Sequence, residues 1–163
     1  MTFLFIDGII KKKKGENKMT IYFDMDGTIA NLYAVENWLS KLRNEDASPY
    51  EDATPLVRLC TLARLLNKAK RNGHKIGIVS WLAKNSTEEY DIKVTKAKIE
   101  WLKTHLKSVQ FDEIKIGKYG TPKSTMVDDI NGILFDDEEP NRKEWKGKAF
   151  DVDNIIGILK EIA

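Results

Sequence analysis

The segment IYFDMDGTIANL, residues 21–32, begins with a short apolar run and then places Asp24 and Asp26 one residue apart. An apolar run of this kind is typical of a buried strand. Gly27 follows the second aspartate at once, and glycine permits a tight turn after the strand. The acidic pair alone would also fit a helix cap or a turn. Its position at the end of a strand makes it a candidate site, to be weighed with the other strand ends.

Apolar strand candidates alternate with amphipathic helix candidates from Met19 to the end of the chain. Strands are predicted at residues 20–24, 75–80, 113–117 and 132–136, with a weaker one at 148–152. Helices are predicted at residues 34–43, 55–73, 87–106 and 152–163. The second helix is expected to begin at Pro55, because proline fits the first turn of a helix. This alternation predicts one α/β domain over residues 19–163, with helices on both faces of a parallel sheet.

Cys60 is the only cysteine of the chain, which excludes an intramolecular disulfide and a cysteine-built zinc site. A reducing, cytoplasmic setting is therefore expected. Cys60 lies in the apolar run LVRLCTLARLL, residues 56–66. A thiol in such a run is predicted to be buried and structural, not a nucleophile.

The small positive net charge of the chain comes from its first 18 residues. They hold five lysines and two acids, a contribution of +3 to a total of +2, so the remainder carries −1. A general affinity for nucleic acid is therefore not expected. The segment lacks the charge order of a signal peptide, and no run is long enough to cross a membrane. The codons for KKKKGENK must be purine-rich, and GE can be written GGAGAA, which resembles a bacterial ribosome-binding sequence. On this basis Met19 is predicted to be the natural start and 1–18 a leader. A basic anchoring tail and a mobile extension are the alternatives.

In parallel sheets, ligands bind beyond the carboxyl ends of the strands, so the polar residues at those ends are read together. They are Asp24, Asp26, Ser80, Asp136 and Asp137, with Lys123 at the start of a short helical run before the fourth strand. Carboxylates are preferred ligands of Mg²⁺, while hydroxyl, backbone N–H and lysine groups bind phosphate oxygens. The set predicts a site for a hard metal ion and a phosphate group.

At these positions the sequence resembles the haloacid dehalogenase superfamily of phosphatases. The family signature DxDGT stands here as DMDGT, residues 24–28, and the other three motifs follow in the expected order as Ser80, Lys123 and the pair Asp136–Asp137. The short insert at about 31–55, and the spacing from EEYDIKVTKAKIEWL to FDDEEPN, look like the 5′(3′)-deoxyribonucleotidase branch and its bacterial and phage relatives. The resemblance implies a three-layer, Rossmann-like core with a small helical cap.

By this resemblance, Asp24 would attack phosphorus to form an aspartyl-phosphate, and Asp26 would protonate the leaving oxygen and then activate water. Mg²⁺ would be held by Asp24, the backbone carbonyl of Asp26 and Asp136. Asp137 would order the loop or support the metal ligands.

The resemblance also implies a set of phosphate contacts. They would come from Ser80, from Lys123 and from free N–H groups in the segment that begins at Thr28. Lys118 is an alternative to Lys123 as the phosphate lysine.

Aromatic residues near the predicted site leave two interpretations open. Trp81 follows the second strand and would either stack on a base and shield the site, or pack under the adjacent helix. The insert carries Tyr33, Trp38 and Tyr50, enough for a small lid over a nucleobase, although packing competes and Trp38 looks more like a core residue.

The expected function is Mg²⁺-dependent hydrolysis of a small phosphomonoester such as a nucleoside monophosphate. One alternative is a 3′-phosphatase acting on nucleic acid ends, which would call for a basic track that the charge count does not show. Another is a non-catalytic nucleotide or phosphate binder built on the same fold. The expected partner is thus a small phosphorylated substrate, with no role for a membrane and with the oligomeric state left open.

Overall fold

The structure is a computed structural model and describes residues 17–163. Residues 1–16 lie outside the described part, so the prediction of a leader at 1–18 stays a prediction. The described chain forms an α/β fold around a five-stranded sheet of order β5-β4-β1-β6-β7, in which every neighbouring pair is parallel. Helices flank this sheet, as the alternation of strands and helices predicts.

All five predicted strands are present. They are β1 (Thr20–Phe23), β4 (Lys75–Trp81), β5 (Glu113–Gly117), β6 (Ile133–Phe135) and β7 (Ala149–Phe150). Two further strands of two residues each, β2 (Ala30–Asn31) and β3 (Thr54–Pro55), form a separate antiparallel pair at the ends of the insert.

The helices match the prediction for the second half of the chain more closely than for the first. They are α1 (Trp38–Arg43), α2 (Ser48–Asp52), α3 (Leu59–Arg71), α4 (Glu88–His105), α5 (Glu139–Glu144) and α6 (Ile155–Ile162). The helix predicted at 34–43 is shorter than expected because Asn37 takes a left-handed conformation with φ of 56°. For α4, Thr87 caps the first turn by accepting a hydrogen bond from the N–H of Tyr90.

The predicted start of the second helix at Pro55 is wrong. Pro55 pairs with Ala30 in the small antiparallel sheet, and α3 begins four residues later, at Leu59. The expected burial of Cys60 is wrong as well, since its side chain is exposed. The buried stripe of α3 consists of Leu62, Leu65, Leu66 and Ala69. Position 60 lies on the opposite side of a helix with this periodicity.

Alternate residues of the central strands face different layers. Ile21 and Phe23 of β1 belong to the main hydrophobic cluster, which includes residues of α3, α4 and α6. Tyr22 faces the other side, where its ring meets the edge of Trp145 at 5.5 Å. Because β1 is covered on both faces, its carboxyl end is fixed in position.

Within the sheet, β4 and β5 lie to one side of β1, and the chain then crosses over to add β6 and β7 on the other side of β1. This reversal beside β1 creates a crevice at the carboxyl ends of β1, β4 and β6, the place where such sheets bind ligands. Within residues 17–163, no helix combines the length and apolar character needed to cross a membrane.

Candidate active site

The structure brings most of the predicted site residues together at the carboxyl ends of the strands. Asp24 directly follows β1, and the pair Asp136–Asp137 directly follows β6. Carboxylate oxygens of these three residues lie within 4.8 Å of one another. The N–H of Asp24 donates to the carbonyl of Phe135 at 2.9 Å, so the sheet ladder itself holds the two strand ends side by side.

Lys123 lies between two of these carboxylates. Its Nζ atom is 3.1 Å from Oδ1 of Asp24 and 2.5 Å from Oδ2 of Asp136, and its side chain is 1% exposed. Burial disfavours the charged form of Lys123, but Asp24 and Asp136 outweigh that effect and raise its pKa. The lysine is therefore a fixed positive charge beside Asp24.

Lys118, the alternative phosphate lysine, lies elsewhere. Its ammonium group pairs with Asp91, and its side chain is 60% exposed. Asp91 also accepts a hydrogen bond from Ser86, so this cluster joins the end of β5 to the start of α4. Of the two lysines, only Lys123 contacts Asp24.

Asp136 and Asp137 have different surroundings. Both oxygens of Asp136 accept hydrogen bonds, from Lys123, from the N–H of Glu138 and from Asn141, and the residue is fully buried. The sequence interpretation gave no role to Asn141, which is the last residue of the segment FDDEEPN and lies on α5. Asp137 accepts a hydrogen bond at Oδ1 alone, and within residues 17–163 its Oδ2 atom has no donor. Asp137 is thus the member of the pair with an oxygen available to a ligand.

The turn after β1 is built around Gly27, whose φ is +77°. A Cβ atom at this position would lie 2.4 Å from Oδ2 of Asp137. Glycine is therefore required both by the backbone conformation and by the close approach of that carboxylate.

Thr28 has a different role from the one expected. Its hydroxyl group exchanges hydrogen bonds with Asp137, each 3.2 Å long, and its N–H donates to the carbonyl of Met25. The N–H of Ile29 also donates to Met25, so the expectation of free N–H groups from Thr28 onward does not hold for these two residues. In the described part of the chain, the N–H groups of Met25 and Asp26 have no protein acceptor, which leaves them available to a phosphate oxygen.

A second buried lysine, Lys98 of α4, pairs with Asp26. Its Nζ atom lies 2.7 Å from Oδ2 of Asp26 and 2.9 Å from Oγ of Ser80. The sequence interpretation missed Lys98. A signal was present, because Lys98 precedes Trp101 and Leu102 by three and four residues and so lies on the apolar side of the predicted helix.

Ser80 is fully buried near the end of β4. Its oxygen accepts a hydrogen bond from Lys98, which leaves its own O–H as a donor. The structure thus joins Ser80 to Asp26 through Lys98, and no hydrogen bond within the described residues links Ser80 to Asp24.

Burial raises the pKa of several carboxyl groups in the site. For Asp26 the increase is opposed by Lys98 and reinforced by Asp24. Burial, followed by the charges of Asp24 and Asp136, raises the pKa of Asp137 to about 7. Burial and Asp24 raise the pKa of Asp136 as well. Burial is the largest cause of each shift, and the negative charge of Asp24 adds to it in all three residues.

The charges of the site fit one divalent cation. Four carboxyl groups and two ammonium groups leave two negative charges when all are ionised. All potential ligands in the acidic cluster are oxygen atoms, the type that Mg²⁺ prefers. Asp24 and Asp137 each have an Oδ2 atom without a donor within residues 17–163. The donor set therefore fits Mg²⁺.

A cavity of about 690 Å³ opens beside Asp24, Asp26 and Lys123. The insert contributes one wall, in which the rings of Tyr33 and Trp38 meet at 5.0 Å. Trp38 is partly buried and Tyr33 is 43% exposed, so both line the cavity although the insert also packs on the core.

Trp81 and Tyr119 form another part of the cavity wall, with their ring centroids 5.0 Å apart. Trp81 is held in place because its indole N–H donates to the carbonyl of Thr121 at 2.8 Å. The Nζ atom of Lys123 lies 5.1 Å from the centre of the Trp81 ring. Of the two interpretations of Trp81, the structure therefore favours a residue of the site wall over one packed under a helix.

Comparison of the sequence with models of known protein families found no match, and a search of curated proteins found no relative.

Proposed function

We propose that this protein is a Mg²⁺-dependent phosphomonoester hydrolase that acts through a phosphorylated Asp24. The observation that carries the proposal is the environment of Asp24 at the end of β1. Its Oδ1 atom is paired with buried Lys123, its Oδ2 atom has no donor within residues 17–163, and the residue lines the cavity. The similarity of the four sequence motifs to those of haloacid dehalogenase phosphatases supports the same activity.

The metal ion would be held by Asp24 and Asp137, with the backbone carbonyl of Asp26 as the further ligand implied by the resemblance. When bound, Mg²⁺ supplies positive charge that reduces the repulsion between Asp24 and an anionic phosphate group. Asp136 accepts hydrogen bonds at both oxygens, so its role is to position Lys123.

In the first step, a carboxylate oxygen of Asp24 forms a bond to phosphorus while the bond from phosphorus to the leaving oxygen breaks. Asp26 gives its proton to that oxygen, which departs as an alcohol. Burial raises the pKa of Asp26, and the charge of Lys98 opposes that increase. Lys123 and the N–H groups of Met25 and Asp26 are available to stabilise charge on the phosphoryl oxygens.

In the second step, water attacks phosphorus and the bond to Asp24 breaks. Asp26, now ionised, takes the proton from the water molecule. Phosphate is released and Asp24 returns to its starting state. One carboxylate thus serves as nucleophile and the other as the proton donor and acceptor.

The cavity favours a small substrate that carries an aromatic group. Its volume lies within the range of about 300–1,000 Å³ that is usual for small-molecule sites. Tyr33, Trp38, Trp81 and Tyr119 supply aromatic surface around it. A nucleoside monophosphate fits this combination, since its base can stack on such rings while the phosphate reaches Asp24.

The proposal is tested by assaying the purified protein with Mg²⁺ on nucleoside monophosphates, on sugar phosphates and on an aryl phosphate. We expect phosphate release that Asp24→Asn abolishes, because the amide cannot attack phosphorus. Asp153→Asn is the matched control, since Asp153 is exposed and does not line the cavity. Equal turnover by the Asp24 variant and the wild type would show that the activity arises elsewhere.

A further inference from the structure

Lys98 is a buried cation that the four sequence motifs do not include. Its side chain is 1% exposed on the apolar side of α4, next to the residues that pack on the core. Placing an ammonium group in such surroundings is costly unless its charge and its hydrogen bonds are satisfied. The groups that accept hydrogen bonds from Lys98 therefore indicate its role.

All three hydrogens of the ammonium group have acceptors. They are Oδ2 of Asp26 at 2.7 Å, Oγ of Ser80 at 2.9 Å and the carbonyl of Trp81 at 2.7 Å. The ring of Tyr50 in the insert lies 5.1 Å from the same nitrogen. Because a lysine has three donors, Lys98 has none left for a substrate. It acts on its protein neighbours.

The acceptors of Lys98 belong to two different strand ends. Asp26 follows β1, whereas Ser80 and Trp81 belong to β4. Lys98 thereby fixes one oxygen of Asp26 relative to the neighbouring strand. The other oxygen, Oδ1, has no donor within residues 17–163, and Asp26 lines the cavity beside Asp24.

We propose that Lys98 is a positioning residue that holds Asp26 for proton transfer to the leaving group. The proposal rests on the phosphatase function proposed above and adds a residue to it. A lysine that only stabilises the fold would affect all substrates alike. One that positions the proton donor matters most when the leaving oxygen needs a proton.

The test compares kcat/KM for an alkyl phosphate with kcat/KM for p-nitrophenyl phosphate. The alkyl phosphate has a poor leaving group that needs a proton, whereas nitrophenolate departs without one. The ratio kcat/KM reports only the steps up to departure of the leaving group, so the later reaction with water does not obscure the comparison. For Lys98→Met we expect a loss of about 100-fold or more on the alkyl phosphate, as general acid catalysis contributes about 10²–10⁴-fold. The loss on the aryl phosphate should be less than about tenfold on the same scale.

Two further variants keep the test decisive. Lys98→Arg replaces Lys98→Met if the methionine variant does not fold. It retains the charge but not the three-donor geometry, so we expect a smaller loss of kcat/KM that is again greater on the alkyl phosphate than on the aryl phosphate. Lys93→Met is the control, because Lys93 is an exposed lysine of the same helix paired with Glu89. Combined with Asp26→Asn, the change at Lys98 should cause little additional loss on the alkyl phosphate, since both act through one proton transfer.

Equal losses on the two substrates would overturn the proposal, as would losses at Lys98 and Asp26 that multiply in the double variant. These outcomes are distinct from failure of the proposed function, in which the wild-type protein would hydrolyse neither substrate.

Discussion

Lys123 and Asp24 form an ion pair of 3.1 Å at the centre of the candidate site, with the lysine almost completely buried. The same ammonium group contacts Asp136, so the pair is joined to the strand on the other side of β1. A buried charge shared by two carboxylates has little freedom to move. This relationship makes Lys123 a fixed electrostatic partner of the proposed nucleophile.

Replacing Lys123 by methionine should therefore reduce both stability and turnover. Breaking a buried ion pair costs about 3–5 kcal/mol, because two carboxylates lose their common partner. Loss of one fixed group that stabilises the transition state lowers kcat by about 10²–10³-fold. Urea unfolding and steady-state kinetics measure the two effects.

Lys118→Met is the matched control for this experiment. Lys118 is largely exposed and pairs with Asp91, so its removal should change turnover by no more than about twofold, as is usual for surface sites. A large loss of turnover in the Lys118 variant, with normal kinetics in the Lys123 variant, would show that Lys118 and not Lys123 is the phosphate lysine.

Asp137 should matter more than Asp136 for the Mg²⁺ requirement. Asp137 has an oxygen without a protein donor, whereas both oxygens of Asp136 are already engaged. In a Mg²⁺ titration of activity, Asp137→Asn should raise the concentration for half-maximal turnover by at least about tenfold, the lower end of the effect seen for groups that support a metal. A chelator should stop turnover, and added Mg²⁺ should restore it. If Asp136→Asn causes the larger shift, the assignment of the ligands is reversed.

The aromatic wall of the insert should favour nucleotides over substrates without a base. Tyr33→Leu or Trp38→Leu should reduce kcat/KM on a nucleoside monophosphate by about tenfold to a hundredfold, since base stacking on an aromatic side chain is worth about 1–3 kcal/mol. Glycerol phosphate serves as the comparison, because it has no ring to stack. Equal losses on both substrates would mean that the two aromatic residues serve packing alone.

Asp112 provides a test of the fold that does not depend on function. Its Oδ2 atom accepts hydrogen bonds from Lys70 at 2.6 Å and from the N–H of Ile76 at 2.9 Å, which tie α3 and β4 to the segment before β5. Burial raises the pKa of Asp112, but the hydrogen bonds from Lys70 and Ile76 outweigh it and lower the pKa below its ordinary value. Because the folded pKa is below the unfolded value, the stabilisation is complete above about pH 4 and is lost as the pH falls through the folded pKa.

Asp112→Asn should accordingly be less stable than the wild type at pH 7, by about 0.5–1.5 kcal/mol. The partly exposed position of the pair favours the lower end of that range. The amide oxygen still accepts from Ile76, so the comparison isolates the charge. Urea unfolding at a series of pH values should show the two proteins converging in acid, whereas a constant difference would contradict the predicted titration.

The sequence predicted the strand ends better than the contacts between them. Asp24, Lys123 and Asp136 follow recognisable patterns, and the parallel sheet brings them together as expected. Lys98 could not be assigned a partner from its helix, because its contact with Asp26 joins residues 72 positions apart in the chain. The start of α3 was missed for a similar reason, since Pro55 pairs with Ala30 across the whole insert.

The most direct measurement of the central claim is the site of phosphorylation. Asp26→Asn should slow the reaction with water and allow the phosphorylated intermediate to accumulate. After incubation with Mg²⁺ and p-nitrophenyl phosphate, whose leaving group needs no proton, and an acid quench, mass spectrometry should find one phosphoryl group on the peptide that contains Asp24. The modification should be absent from the Asp24→Asn/Asp26→Asn double variant. A phosphoryl group on any other residue, or phosphate release by the wild type that persists when Asp24 is replaced, would contradict the account.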